Sequence, residues 1–352
     1  MTGSWLFKLR GDLNKFQKLL LAILGLIFFI IVWVLLTMGN KPILPANVFP
    51  YPLRVVNAFN ELYYDRNFII NLCKSIGFNL GGYIKAILYA IPVGFMIGLI
   101  PLLRGAFQRM VDAIRFLPLT ALTGLFIIWY GVNAEQKINF LSFGIFIYLL
   151  PIVIQRIDEV DDVYLKTVHT LGAGYWQTIK TVYFPSVISR LSDDIRILTA
   201  VSWTYIIVAE TNGEEGGIGT VILSAQRLVR VDIIIACLII IILIGIFQDW
   251  AFSYLDRKFF PFKYQVRDSY EGNVTLKRVS GLDAIFDYVF LLLTWIFLAL
   301  YLLFMFNEWM PFLGVKPLSY LFGDVLWTIH FIFILILIYQ FYHLYQKIFI
   351  KS

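Results

Sequence analysis

Long apolar runs dominate this 352-residue sequence, and several reach the roughly 20 residues that an α-helix needs to cross a ~30 Å hydrocarbon core. Hydrophobic residues make up 60% of the chain and charged residues 15%. Soluble domains normally carry more charge and less apolar surface, and the alternating segments of about ten residues that mark a membrane β-barrel are not found in the sequence. The pattern therefore predicts an all-α polytopic membrane protein.

Eight membrane spans are predicted from these runs. In chain order they cover residues 19–38, 76–100, 108–130, 138–155, 191–210, 232–252, 283–305 and 324–346. With the N-terminus inside, Lys and Arg favour the cytoplasmic segments by about two to one, which is the bias expected of a bacterial inner-membrane protein. We therefore predict a multi-pass protein of the cytoplasmic membrane with both termini in the cytoplasm. The net charge of +6 is spread over loops, which does not indicate nucleic-acid binding.

The spans divide the chain into four predicted regions. These are a cytoplasmic N-terminus (1–18), a transmembrane domain (19–264) with a cytoplasmic loop at 156–190, a cytoplasmic linker (265–282), and an additional transmembrane hairpin with its tail (283–352). The hairpin is poor in polar residues, which indicates contact with lipid or a partner rather than with a solute. In the first outward segment, residues 53–64 have the spacing of an amphipathic helix along the membrane face.

Several classes of chemistry find no support in the sequence. Cys73 and Cys237 are isolated and indicate neither a disulfide framework nor a metal site. There is no G-x-x-x-x-G-K-[ST] phosphate-binding loop, no H-E-x-x-H and no Ser-His-Asp order. We therefore expect no cofactor, no metal and no enzyme chemistry in this chain.

The polar stretch from 157 to 190 reads IDEVDDVYLKTVHTLGAGYWQTIKTVYFPSVISR. Two short helical patterns meet at residues 171–174, where Gly172 tolerates the positive φ at a helix end, and Pro185 is expected to close the second pattern. The second pattern carries an apolar stripe of Tyr175, Trp176, Ile179, Val182 and Tyr183. Such a stripe, if exposed, favours docking into a partner's groove. The alternative is packing against the protein's own helix ends.

This stretch resembles the "EAA" loop of ABC importer permeases, which runs roughly E-A-A-x-x-L-G-A-s-x-W-x-x-f-x-x-V-x-l-P. The matching residues are Leu171, Gly172, Ala173, Trp176, Val182 and Pro185. The chain departs from the motif at its opening, where Lys166-Thr167-Val168 stands in place of E-A-A. A basic residue therefore occupies the position at which the family presents an acidic one to its ATPase.

Other segments extend the resemblance. Leu44-Pro45 is similar to the family's L-P-S-P region, residues 90–101 to its second span, and residues 115–131 to R-x-I-P-x-x-A-x-x-P-L-x-I-x-W-F-G. Ala209-Glu210 with the later Gly217-Ile218-Gly219 resembles A-E-x-x-x-x-x-x-G-L-G. Together they point to the nitrate, sulfonate, taurine and bicarbonate type of permease over roughly residues 20–264.

The resemblance implies a type I ABC importer transmembrane domain with six core helices, to which this chain adds a C-terminal two-helix hairpin. Such permeases pair with a second permease subunit, in a homodimer or heterodimer, and work with two cytoplasmic ATPase subunits and an extracytoplasmic solute-binding protein. ATP hydrolysis is then expected in the partner ATPase. The residues that the motif assigns to ATPase coupling are Leu171, Gly172, Ala173, Gly174, Tyr175, Trp176 and Pro185.

The fifth span and the residues just beyond its outer end carry the polar candidates for a translocation path or gate. These are Ser202, Thr204, Tyr205, Glu210 and Asn212. Carboxylates near lipid are costly and usually face a cavity, a partner or the interface. Glu210 either lines the outer mouth or caps helix packing, and a negative charge in the path would oppose an anionic solute.

The other charged group of this span lies at its cytoplasmic start. Asp193, Asp194 and Arg196 are adjacent there, and they are expected to form a local ion pair at the membrane interface.

We predict a permease subunit that moves a small polar solute, such as an oxyanion or sulfonate, into the cytoplasm by alternating access. Two alternatives stay open. One is a non-importing membrane anchor of an ABC-type complex, which the Lys166-Thr167-Val168 departure and the added hairpin both allow. The other is a membrane scaffold or channel without an ATPase, which requires the 156–190 loop to pack on its own bundle.

Overall fold

The computed structural model describes residues 14–39, 42–212, 216–267, 274–276, 281–312 and 314–349. The described residues form fourteen α-helices: α1 (Lys15–Thr37), α2 (Pro52–Asp65), α3 (Phe68–Leu99), α4 (Pro101–Ile114), α5 (Thr123–Tyr130), α6 (Ala134–Asp158), α7 (Asp162–Thr170), α8 (Tyr175–Thr178), α9 (Phe184–Glu210), α10 (Ile218–Arg227), α11 (Val231–Phe259), α12 (Gly281–Trp309), α13 (Pro317–Phe322) and α14 (Leu326–Phe349). Two three-residue strands, β1 (Gln265–Arg267) and β2 (Val274–Leu276), pair antiparallel. Most of the predicted N-terminal region, residues 1–13, and residues 268–273 and 277–280 of the predicted linker lie outside the described residues.

Six helical stretches of the described chain are long and apolar enough to cross a membrane. They are Phe16–Thr37, Phe68–Leu99, Ala134–Asp158, Val231–Phe259, Tyr288–Trp309 and Pro317–Phe341. Each overlaps a predicted span, so the all-α, multi-pass prediction is confirmed. The other two predicted spans take different forms.

The predicted span over 108–130 is wrong as a single helix. The chain there forms α4 and a second helical stretch, Leu119–Tyr130, which meet at an angle of 96°. The break falls at Pro118, because a proline excludes the preceding residue from helical backbone and supplies no N–H of its own. The pair is therefore a broken span or a re-entrant loop.

The predicted span over 191–210 lies within α9, which is 27 residues long but is too polar to be among the six stretches apolar enough to cross a membrane. Asp193, Asp194 and Arg196 all fall near its middle. The expected local ion pair among them is wrong, since each binds a different element. Asp194 accepts from Arg156 of α6 at 2.7 Å, Arg196 donates to Asp249 of α11 at 2.6 Å, and Asp193 pairs with Lys263 at 3.2 Å. Ionisable groups inside a span are tolerated when they are paired in this way.

Two compact units are distinguished by their internal contacts: the chain up to Arg66 with Ser224–Leu238, and Asn67–Leu223 with Ile239 onward. In the first unit, α2 confirms the predicted helix over 53–64, with Val55, Ala58 and Leu62 buried. Glu61 accepts hydrogen bonds from Arg66 and Arg230 in this unit.

Helices α3, α6 and α9 form the centre of the second unit. Glycines of α3 allow a parallel approach to α6, since Gly82 faces Leu141, Gly94 faces Val153 and Gly98 faces Ile157. A Cβ at Gly94 would lie 2.5 Å from Val153 Cγ1, so a larger residue would push the helices apart.

Helix α9 runs antiparallel to α3. Ser75 and Asn79 of α3 contact Glu210 and Ser202 respectively, and Tyr83 donates to the Ile195 carbonyl.

The C-terminal hairpin packs on this centre rather than standing apart from it. Helices α12 and α14 are antiparallel, with Tyr301 stacked on Phe333 at 4.0 Å. A Cβ at Gly77 of α3 would lie 2.6 Å from Val325 Cγ2, and a Cβ at Gly81 would lie 2.8 Å from Thr328 Cγ2. This G-x-x-x-G spacing is a small-residue interface for membrane helices, and it gives part of the apolar hairpin a partner inside the chain.

Candidate functional site

The 156–190 segment forms a helix, a tight turn and a second helix. Asp161 caps α7 by accepting from the Val163 N–H at 2.9 Å. The turn follows at Gly172, whose φ of +78° is in the left-handed region that glycine adopts without strain. The Gly172 and Ala173 N–H groups donate back to the carbonyls of His169 and Val168, both at 3.0 Å. The helix end predicted at Gly172 is confirmed.

Apolar side chains at this turn are strongly exposed. Leu171 is 81% exposed, Tyr175 92% and Trp176 76%. We call residues 171–176 the tip. Contiguous exposed apolar groups of this kind mark interaction surfaces, and the tip is not buried among the chain's own described helices.

The predicted apolar stripe over residues 175–183 divides into two parts. Tyr175 and Trp176 are exposed at the tip, Ile179 and Tyr183 are half-buried, and Val182 is buried. The stripe therefore anchors the base of the segment in the chain's own bundle and leaves the tip free to contact something else.

Pro185 does not close the second helix, and that prediction is wrong. A π-helical turn, Ile179–Tyr183, joins α8 to α9, and Pro185 lies in the first turn of α9. Proline cannot donate the next backbone hydrogen bond, and the wider π turn directly before it adjusts the register. A continuous helical path thus runs from Tyr175 to Glu210.

Ion pairs hold the base of the segment. Arg156 Nη1 donates to Glu159 at 2.5 Å, and Arg190 Nη1 donates to the Glu159 carbonyl at 2.9 Å. Hydrogen bonding from Arg156 lowers the pKa of Glu159. Together with the Arg156–Asp194 pair, these bonds link the end of α6 to the first half of α9. Sequence reasoning missed this clamp because its members are ordinary surface residue types until the helices are placed.

At the far end of α9, Glu210 is fully buried and completely hydrogen-bonded. Its carboxylate accepts from Ser75 Oγ at 2.6 Å and from the Gly219 N–H at 2.8 Å. Ser75 Oγ in turn accepts from the Ile218 N–H at 2.8 Å. We call this group, with Gly217, the latch, because it fastens the turn before α10 to α3.

Glycine is required in the latch. Gly217 has φ +114°, and a Cβ there would lie 2.6 Å from Glu210 Oε1. A Cβ at Gly219 would lie 2.7 Å from the Ile207 carbonyl oxygen. The spacing of Ala209-Glu210 and Gly217-Ile218-Gly219 thus has a physical basis, because the Glu210 carboxylate packs directly against backbone that has no Cβ.

Lysine 137 is also fully buried near this region. Its Nζ lies 4.7 Å from the centre of the Phe78 ring. Sequence reasoning did not single out Lys137, because nothing in the sequence marks one lysine of a polar helix start as buried.

The five predicted path or gate residues do not converge. Ser202 is buried and contacts Asn79 of α3, on the same side as Glu210. Thr204 is exposed and Tyr205 stacks on Tyr148 of α6, with ring centres 6.4 Å apart. Asn212 is exposed past the helix end and donates to the Val208 carbonyl at 3.0 Å. The structure thus places four of them on three faces of α9 and the fifth, Asn212, beyond its end. Their role in a path stays a prediction.

Comparisons with known proteins give the class. Residues 90–261 match the family model for the binding-protein-dependent transport system inner membrane component. The matched part contains the tip and the latch residues Glu210 and Gly217–Gly219, whereas Ser75 of the latch lies before it.

Curated relatives agree with this family. The chain is 26% identical over 182 residues to the taurine transport system permease protein TauC of Escherichia coli, covering 52% of this chain and 66% of TauC. It is 26% identical over 246 residues to the putative aliphatic sulfonates transport permease protein SsuC of Bacillus subtilis, covering 66% of this chain and 83% of that one. The MetNI methionine ABC transporter structure aligns with a TM-score of 0.48 and 15% identity, over 53% of this chain and 92% of that one.

This chain is a membrane permease of the ABC importer class. Its residues 90–261 match the binding-protein-dependent transport inner-membrane component family, and the curated relatives that it resembles are transport permeases.

Proposed function

We propose that this permease is driven by a separate cytoplasmic ATPase that grips the tip. The observation that carries the proposal is the pairing of exposed Leu171, Tyr175 and Trp176 with a continuous helical path into the core. Exposed aromatic anchors on a rigid helix suit a groove in a partner. The 156–190 segment, both termini and the linker are then cytoplasmic.

Coupling follows from the contacts of α9. When ATP closes the ATPase dimer, the tip is displaced and the α8–α9 path carries that displacement into the membrane. Helix α9 contacts α6 through Arg156 and Asp194, and α3 through Ser202 and Asn79. A movement of α9 therefore changes the packing of the central helices, as alternating access requires.

The solute proposed for this permease is a small polar molecule of the oxyanion or sulfonate type. Two relatives named for taurine and aliphatic sulfonates support this class. A solute-binding protein outside the membrane would deliver it.

The partner subunit proposed is a second permease. Lys166 replaces the acidic residue of the motif, so this chain would contribute a weaker ATPase contact at that position. A heterodimer with a permease that retains the acidic residue would compensate, and a homodimer would repeat the deficit on both sides.

The test is Gly172→Val in the full complex. A β-branched residue is strained at φ +78°, so the turn should deform and the ATPase should no longer copurify. Gly25→Val is the matched control, because Gly25 lies inside the first span, away from the tip, and has open space around it and no positive φ. Normal assembly and transport in Gly172→Val would refute the proposal. Copurification of the ATPase without solute-stimulated ATP turnover in the wild type would favour the non-importing anchor instead.

A further inference from the structure

The turn between α10 and α11 contains a residue that is unusual for its backbone conformation. Val229 has a φ of +54°, which is in the left-handed region. A β-branched side chain is strained there, and glycine normally takes such positions. Apart from Asn67, Val229 is the only non-glycine residue of the described chain with a positive φ.

The backbone hydrogen bonds of this turn form a Schellman motif, which is a common way of ending a helix. The Arg230 N–H donates to the Ala225 carbonyl at 2.8 Å, and the Val229 N–H donates to the Gln226 carbonyl at 3.1 Å. Val229 therefore occupies the position after the helix end at which glycine is usual. Because glycine would form the same turn without strain, the strain indicates a role for the valine side chain outside the turn.

Apolar side chains at this turn are exposed. Leu228 is 64% exposed and Val229 is 63% exposed, and Arg227 beside them is also exposed. We call residues 227–230 the outer turn. Adjacent exposed apolar side chains beside a basic group suit a partner that offers an apolar depression with acidic groups around it.

Ion pairs hold the outer turn in place. Arg230 donates to Glu61 of α2 at 2.5 Å and to Asp232 of α11 at 2.9 Å, and Glu61 also accepts from Arg66 at 3.1 Å. The Arg230 side chain is 36% exposed, whereas those of Glu61 and Asp232 are 27% and 9% exposed. Both carboxylates thus lie beneath the arginine that binds them. With Arg227 exposed as well, the outer turn presents positive charge.

Helix α11 places the outer turn outside the cytoplasm in the proposed orientation. This helix is long and apolar enough to cross a membrane, and it begins at Val231, directly after the outer turn. Its last turn carries Arg257 and Lys258 and precedes the linker that is proposed to be cytoplasmic. The outer turn is therefore on the side of the membrane at which a solute-binding protein would deliver the solute.

We propose that the outer turn is a docking point for the extracytoplasmic solute-binding protein. Leu228 and Val229 enter an apolar depression on that protein, and Arg227 faces its carboxylates. The family that residues 90–261 match is described as binding-protein-dependent, and the identity of this partner rests on the proposed function. A lipid surface is the weaker candidate, because it has no fixed shape that would require a strained valine at one defined place.

The first experiment is capture of the partner in living cells. The full-length chain carries the photoreactive residue p-benzoylphenylalanine in place of Leu228, and the crosslinked product is identified by mass spectrometry. We expect a solute-binding protein. The same photoreactive residue in place of Leu243, which is 59% exposed in the middle of α11, is the control and should not capture that protein. Capture of lipid alone, of a second copy of this chain or of any other protein instead overturns the proposal.

The second experiment measures the affinity of the captured binding protein for the permease complex in lipid nanodiscs. Leu228→Asp should weaken binding at least about tenfold, because it places a charge in an apolar contact. Val229→Gly should also weaken binding, but it should hold or raise the melting temperature, because glycine adopts this turn without strain. Val132→Gly is the matched control, since Val132 is 44% exposed and has no positive φ. It should leave binding unchanged and lower the melting temperature slightly.

The two variants of the outer turn separate docking from folding. Unchanged affinity in both variants overturns the proposal, and so does a lower melting temperature in Val229→Gly. Should Leu228→Asp fail to fold, Val229→Gly decides. The ATPase should copurify normally with both variants. Normal copurification with unchanged affinity would refute the outer turn alone, whereas absence of the ATPase from the wild-type complex would refute the proposed function.

Discussion

The tip and the latch lie at opposite ends of one helical path, and they are built in opposite ways. At the tip, Tyr175 and Trp176 are exposed apolar groups that the described part of the chain leaves uncovered. At the latch, Glu210 is fully buried and both its carboxylate oxygens accept hydrogen bonds. The comparison separates two roles. The tip exposes an apolar surface that a partner can bind, whereas the polar groups of the latch are hydrogen-bonded to one another within the chain.

This difference predicts whether a substitution changes the stability of the protein or an activity that depends on a partner. Changes in the latch should lower stability, because they leave buried polar groups without partners or force backbone apart. Changes at the tip should leave stability unaltered and remove an activity that depends on another protein. The predictions below are ordered by the size of the expected effect on stability.

Gly217→Val should be the most damaging. A side chain at φ +114° is strained, and it would collide with the Glu210 carboxylate. We expect a loss of about 3 kcal/mol or more in unfolding free energy, seen as a large drop in the melting temperature of the detergent-solubilised protein. Gly124→Ala is the control, because that helical glycine has open space and no positive φ. Equal melting temperatures for the two variants would mean that the latch is not closed as described.

The clamp at the base should give a smaller, pH-dependent effect. Glu159 has a lowered pKa because Arg156 donates to it. Its contribution to stability is therefore full above the ordinary pKa of 4.5 and is lost as pH falls through the lower, folded-state pKa.

Glu159→Gln should flatten that acid-side decline in melting temperature and change little near pH 7, since the side chain is partly exposed. Glu135→Gln, at an exposed position of the same helix as Arg156, should retain the decline. An unchanged decline in Glu159→Gln would show that the clamp contributes nothing measurable.

The double substitution Tyr175→Ala with Trp176→Ala should have the smallest effect on stability. Exposed side chains without partners in the chain change unfolding free energy by no more than about 0.5 kcal/mol. The same double variant should lose ATPase copurification and transport. A marked fall in melting temperature would instead indicate that the tip is packed on its own bundle, as the scaffold alternative requires.

The sequence predicted those features that depend on local pattern. Run length located six spans, and the helix end at Gly172 followed from the backbone freedom of glycine. The sequence also predicted that Glu210 either caps helix packing or lines the outer mouth of a path. Both of its carboxylate oxygens accept hydrogen bonds within the chain, which is the geometry of a cap.

Features that depend on tertiary partners could not be read from the sequence. Asp194 and Arg196 are close in sequence but pair with α6 and α11 respectively, a choice made only when the helices assemble. Gly77 and Gly81 pack against Val325 and Thr328, which lie almost 250 residues away in the sequence. Nothing near the two glycines in the sequence indicates this contact. Pro118 was visible, but the 96° angle it permits depends on the packing of α4 and α5.

The most direct test is the accessibility of the tip, with Tyr175→Cys introduced into a chain whose Cys73 and Cys237 are replaced by serine. A membrane-impermeant maleimide should label this cysteine in inverted membrane vesicles, and bound ATPase should protect it. Val315→Cys, at an apolar and 61% exposed position between the last two spans, should be labelled only in right-side-out vesicles. Labelling of Tyr175→Cys from the outer face, or at the same rate with and without the ATPase, would contradict the account.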